Sequence, residues 1–129
     1  KMYHFTLARL KTAQDLVQRR LIYETMRQGR RQLPCFAGRI GAVMNEEGDV
    51  CPCEILHEKM GNIREAGYDF QTVFRSEQAN RVRAAINNTK CYCSHECYFV
   101  TNILFNPLMY GMVIRQYLDL PRKQSLIIA

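Results

Sequence analysis

Six cysteines stand out in this 129-residue chain: Cys35, Cys51, Cys53, Cys91, Cys93 and Cys97. An even number would permit three disulfides in a secreted protein. Their clustering argues against that. Cys51 and Cys53 form one group of near neighbours, and Cys91, Cys93 and Cys97 form another. Partners separated by one or three residues have poor disulfide geometry and good metal-ligand geometry. Thiolates bind soft or borderline metals, namely zinc, copper(I) and the iron of iron–sulfur clusters. A four-iron cluster needs four thiolates aimed at its corners. Cys35 and Cys53 stand before and at the end of a segment that reads as a β-hairpin. Cys93 and Cys97 straddle the start of a predicted helix, where backbone N–H groups and the helix dipole favour negative charge. These four are the candidate metal ligands. Cys51 is read as a strand thiol on the opposite face, since neighbouring strand residues point opposite ways. His95 lies between Cys93 and Cys97. Imidazole binds zinc readily, but this histidine is read as a neighbour of the site. Tyr92, Tyr98, Phe99 and Phe105 would form a small apolar shell that excludes water. Glu46, Glu47 and Asp49 read as a solvated turn. No Ser/His/Asp set, phosphate loop or convincing carboxylate pair accompanies these residues.

The elements that must carry the cysteines follow from periodicity. Leu7, Leu10, Ala13, Leu16, Val17, Leu21 and Met26 recur at helical spacing, which predicts one long helix over residues 3–31, closed by Gly29 and Pro34. Residues 39–53 are predicted to form a β-hairpin, with Ile40 and Val43 before the Asn45-Glu46-Glu47-Gly48 turn and Val50 on the return strand. Pro52 ends that ladder. Residues 54–75 read as irregular, with Gly61-Asn62 and Gly67 as turns. Ser76 is expected to cap a helix over about 77–87, ended by Asn87-Asn88. Two short helices, near 95–105 and 107–118, complete the pattern. Asn106 and Pro107 fit the N-cap and first turn of the second. The tail from Pro121 onward reads as loose.

Composition bounds the class. Apolar residues make up 47% and charged residues 23% of the chain, which fits a folded globular domain and excludes disorder. The length allows one core-bearing domain. No apolar run approaches the roughly 20 residues needed to span a bilayer, so no membrane partner is expected. Lys1-Met2-Tyr3-His4 does not open a signal peptide, and a cytoplasmic location is expected. The net charge of +6 is unevenly placed. Residues 1–33 hold Lys1, Arg9, Lys11, Arg19, Arg20, Arg27, Arg30 and Arg31 against only Asp15 and Glu24, and the rest of the chain is balanced. Such a segment suits an acidic neighbour, an anionic ligand or a solvated face. A helix this long cannot bury its whole apolar stripe on itself, and Lys1 is no natural start. The chain reads as a fragment of a longer protein.

Taken in order, the motifs are similar to those of a known family. Cys35-Phe36-Ala37-Gly38-Arg39 is followed by Glu47-Gly48-Asp49-Val50-Cys51-Pro52-Cys53-Glu54, and then by Gly61-Asn62-Ile63. Ser76-Glu77, Ala79 and Arg83 precede Cys91-Tyr92-Cys93-Ser94-His95-Glu96-Cys97 and Thr101-Asn102-Ile103-Leu104-Phe105-Asn106-Pro107. This series resembles the C-terminal auxiliary-cluster region of radical S-adenosylmethionine enzymes, the SPASM or shorter twitch domain, over about residues 33–110. The resemblance implies one auxiliary 4Fe-4S cluster, with Cys35, Cys53, Cys93 and Cys97 as its ligands. Cys91 could replace Cys93. Residues 1–33 would match the last helix of the partial barrel that precedes such a domain, residues 34–120 the domain itself, and 121–129 a tail. The family's catalytic cysteine triplet is absent, because Cys97 is followed by Tyr98, Phe99 and Val100. This chain alone is therefore not expected to cleave S-adenosylmethionine, which would bind only in the missing barrel. That barrel, in cis or in trans, and a peptide or protein substrate are the implied partners.

The expected fold class is α+β: a long N-terminal helix, a β-hairpin and short C-terminal helices around a cysteine-rich metal site. The expected role is electron transfer, substrate binding, or both. A four-cysteine zinc module with a basic helix for nucleic acid or protein is the alternative. Its aromatic residues accompany the cysteines and not the basic residues, so nucleic acid is not expected as the partner. Zinc could also substitute in the same thiolates if an exposed cluster lost its iron.

Overall fold

The computed structural model describes residues 6–88 and 91–121. The expected start of the first helix at residues 3–5 and the tail beyond Pro121 lie outside the described residues. The helices are α1 (Thr6–Gln28), α2 (Phe70–Arg75), α3 (Glu77–Asn88), α4 (Glu96–Leu104) and α5 (Tyr110–Asp119), the last preceded by a 3-10 turn at Pro107–Met109. The strands β1 (Val43–Met44), β2 (Asp49–Cys51) and β3 (Gly61–Asn62) form one antiparallel sheet in that order. The fold class is the α+β expected.

Helix α1 ends where its sequence says it must. The Arg30 N–H bonds the Thr25 carbonyl across Gly29, which has φ +61°, the geometry of a left-handed helix cap. Its apolar stripe is divided. Ala13, Val17 and Leu21 pack with Leu33, Phe99, Ile103 and Val113, so α4 and α5 cover one part of it. Leu7, Leu10, Leu16 and Met26 stay exposed.

The hairpin turn is held by Asn45, whose side-chain oxygen accepts from the Glu47 and Asp49 N–H groups at 3.1 and 2.8 Å. The register pairs Val43 with Cys51 and Met44 with Val50. The expected hairpin is part of a larger sheet, because β3 adds to the other edge of β2, pairing Asp49 with Asn62 and Val50 with Gly61. Glycine and asparagine are poor strand formers, which is why Gly61-Asn62 reads as a turn. Here glycine serves a close approach: a Cβ on Gly61 would stand 3.0 Å from Val73 Cγ1 on α2. Helix α2 is a second correction to the segment read as irregular. Asp69 caps it by accepting from the Gln71 N–H at 3.0 Å, but six residues are too few to show helical periodicity.

The sheet, α2 and α3 enclose a second apolar core of Ala37, Val50, Met60, Ile63, Val73, Ala79, Val82 and Ile86. Ser76 caps α3 as expected, its hydroxyl accepting from the Ala79 N–H at 3.0 Å. Asp49 is buried at the start of the central strand β2 and paired with Lys59 at 2.6 Å and the Asn62 amide at 2.9 Å. Those partners hold its carboxyl below the ordinary range, and it is more than part of a solvated turn.

Gly38 joins the sheet core to the segment ending at Cys53. Its φ is +70°, and a Cβ there would stand 3.0 Å from Pro52 Cβ. The Arg83 guanidinium donates to the Gly38 and Phe74 carbonyls and lies over the Phe74 ring. A Gly38→Ala variant is expected to lose about 1–3 kcal/mol of stability, read as a lower urea midpoint with unchanged helical circular dichroism.

Candidate metal centre

The four thiols expected as ligands come from two parts of the fold. Cys35 and Cys53 are half-buried and pack against the sheet core. The Leu56 N–H donates to Cys53 Sγ at 3.3 Å. Cys93 is half-buried just before α4, where the nearby His95 backbone N–H favours its charged form. Cys97, in the first turn of α4, is exposed. No disulfide links any of the six cysteines, and all are free thiols.

Electrostatics report which sulfurs share a neighbourhood. Burial pushes the Cys93 thiol up, and Cys35 and Cys53 add to the shift. Burial also raises Cys91, with further contributions from Cys35, Cys93 and Cys53, while the Arg31 guanidinium opposes them. Cys35, Cys53, Cys91 and Cys93 therefore lie in one another's field. Cys91 thus joins three of the four expected residues, and Cys97 acts beside Cys53 and Cys35 on the Tyr98 phenol. Cys51 lies on β2, half-buried beside the fully buried Val50. Burial and then Asp49 push its thiol up, with only a small contribution from Cys53.

Three contacts from α4 reach the chain around Cys35 and Cys53. His95, the N-cap residue of α4, brings its Nε2 to 2.8 Å from Glu54 Oε2. The Tyr98 hydroxyl donates to the Pro52 carbonyl at 2.6 Å. The buried Asn102 side-chain oxygen accepts from the Phe36 N–H at 2.8 Å. Burial, and then Cys53 and Cys35, push the Tyr98 phenol up to about 12, so it stays a neutral donor at physiological pH. His95 Nδ1 is buried with no partner. None of these contacts is legible from spacing alone. The only signal is that residues 95, 98 and 102 share one face of a helix.

The charge around the site is mixed. Arg31 donates to the Ile86 and Asn87 carbonyls, both at 2.7 Å, at the end of α3. Gly29, Arg30, Arg31 and Cys91 line an open hollow of about 350 Å³. Of these, the Arg31 guanidinium favours negative charge on Cys91.

Thiolate donors suit a single zinc ion and an iron–sulfur cluster alike. Among the described residues, no three His, Cys, Asp or Glu side chains converge to hold a single metal ion. Zinc would draw its four sulfurs to about 4 Å from one another, given Zn–S bonds of about 2.3 Å. An iron–sulfur cluster spreads its irons and takes its thiolates further apart. The free thiols come from two segments, and Cys35 and Cys53 are backed by the apolar core.

Comparison with known proteins agrees. Residues 35–98 match the family model of SPASM, an iron–sulfur cluster-binding domain. The match runs from Cys35 through Cys97 and bears out the resemblance read from the motifs. Neither the curated proteins nor the solved structures gave a match.

Thiol reactivity offers a check on this geometry. In metal-free protein at about pH 8, iodoacetamide should modify exposed Cys97 first, and Cys91 and Cys93 more slowly. A raised pKa means less thiolate at that pH, so the rates at Cys91 and Cys93 should keep climbing above the ordinary thiol range. Peptide mass spectrometry of a time course reads the order.

Proposed function

We propose that this iron–sulfur cluster-binding domain is the auxiliary domain of a radical S-adenosylmethionine enzyme, holding one 4Fe-4S cluster on Cys35, Cys53, Cys93 and Cys97. The observation that carries the reading is the family match over residues 35–98, which spans all four cysteines. The neighbourhood of Cys35, Cys53 and Cys93 supports three of the ligands directly. Cys97 takes the fourth place by the resemblance of its motif, and Cys91 is the competitor of Cys93.

When bound, such a cluster supplies one-electron chemistry at a potential set by burial and by hydrogen bonds to its sulfurs. The chain's own part is to place and shield it. The sheet core excludes water behind Cys35 and Cys53. The Leu56 N–H donates to Cys53 and the His95 backbone N–H lies near Cys93, and both favour the thiolate form. The role proposed is electron transfer, substrate binding, or both, beside a barrel supplied in cis or in trans. A peptide or protein is the substrate class proposed. The exposed apolar residues of α1 (Leu7, Leu10, Leu16 and Met26) are consistent with a further protein surface there.

Anaerobic reconstitution tests the proposal. Purified chain incubated with iron and sulfide should gain a broad absorbance near about 400 nm and roughly four iron and four sulfide per chain. Cys53→Ser should abolish it, and Cys51→Ser should leave it intact. A colourless protein with about one zinc per chain and no sulfide would instead establish the zinc module.

A further inference from the structure

The motif series includes His95 and Asn102 without giving them a task, yet the face of α4 they share with Tyr98 touches the chain beside both remote thiols. His95, Tyr98 and Asn102 are spaced three and four residues apart, so they line one face of the helix. Their partners are Glu54, Pro52 and Phe36. Pro52 and Glu54 flank Cys53, and Phe36 follows Cys35. Each contact therefore acts within one residue of an expected ligand. The same helix carries Cys97 in its first turn and follows directly after Cys93.

We propose that His95, Tyr98 and Asn102 are positioning residues for the iron–sulfur site, forming a stripe on α4 that sets Cys35 and Cys53 at a fixed distance from Cys93 and Cys97. The inference rests on the cluster-binding reading of the preceding section and adds to it the device that gathers the ligands. Cys35 and Cys53 do not share a strand with each other or with α4. β2 ends at Cys51, and Cys35 precedes all three strands. Apolar packing alone would let either segment slide by a fraction of a residue. Directional hydrogen bonds to backbone groups at 2.6 and 2.8 Å remove that freedom.

Each contact has a feature suited to holding position. The Tyr98 ring packs against the sheet core, so its hydroxyl reaches Pro52 from a fixed base. Asn102 is buried, and the Phe36 N–H would lose its partner without it. In the His95–Glu54 pair the carboxylate can only accept, so Nε2 carries the proton. Among the described residues Nδ1 has no partner, and Glu54 is the polar anchor of the ring. Helix α4 is itself fixed from behind, because Phe99 and Ile103 sit in the other core.

The test uses the full chain, reconstituted anaerobically with iron and sulfide. The readouts are the rate of iron release to a chelator and the electron paramagnetic resonance spectrum of the reduced cluster. Tyr98→Phe keeps the ring and removes one hydrogen bond. Asn102→Leu removes the acceptor, and Asn102→Asp restores it. The first two variants should release iron about tenfold faster than wild type and show an altered spectrum, with unchanged circular dichroism before loading. Asn102→Asp and His95→Gln, which keep an acceptor and a donor respectively, should behave as wild type. Wild-type release rates and spectra in Tyr98→Phe and Asn102→Leu would overturn the positioning role and leave the cluster-binding reading standing. Failure of the wild-type chain to take up iron and sulfide would overturn both.

Discussion

Helix α4 is where the two halves of this protein are pinned together. Consecutive residues face different cores: Tyr98 packs against the sheet cluster, and Phe99 is buried between α1 and α5. Burying an aromatic side chain contributes about 2–3 kcal/mol on each side, enough to hold so short a helix that would not be stable alone. The Gln18 side chain adds a polar tie from α1 to the Glu96 carbonyl at 3.4 Å. Move α4, and Cys93 and Cys97 move with it. The backbone beside Cys35 and Cys53 loses its partners at the same time.

That arrangement deals with a conflict. Thiols destined to be thiolates are costly to bury, and burial does push Cys91 and Cys93 up. Full exposure would let water reach any bound cluster. The site lies between these limits, with most sulfurs half-buried against one core. Local N–H donors and the Arg31 guanidinium offset the charge. Part of the basicity of the N-terminal segment thus has a use inside the fold. Arg31 binds the end of α3, and Arg9 donates to the Leu120 carbonyl while lying over Tyr117. Both acidic residues of that segment are already paired, Asp15 with Lys11 and Glu24 with Arg27.

The small residues that follow the first cysteine also have a local physical reason. Ala37 is buried in the sheet core, where a larger side chain would not fit without displacement. Gly38 meets Pro52 too closely for a Cβ. Arg83, far along the chain, closes over the Gly38 carbonyl. The segment carrying Cys35 is therefore fixed by packing from β2, α3 and α4 together, and no single element defines its path.

The elements carrying a strong local signal were legible from the residues alone. Helical periodicity and its cap gave α1, Ser76 gave α3, and Asn106 with Pro107 gave the start of the last helix. The cysteine clusters pointed to metal and the motif order to an iron–sulfur domain. Signals are local because hydrogen bonds within a helix, a cap or a turn depend on residues a few positions apart. What stayed hidden depends on distant segments. β3 exists because β2 offers an edge and Gly61 lets Val73 approach. Helix α2 is too short to show a period. The covering of α1 by α4 and α5 is a matter of docking. Which sulfurs share a field, and how residues 95, 98 and 102 reach the chain beside Cys35 and Cys53, depend on contacts across tens of residues. Sequence determined the chemistry of the donors and most of the helices. Tertiary structure decided their spacing, because only packing between remote segments sets a distance between atoms that no local rule connects.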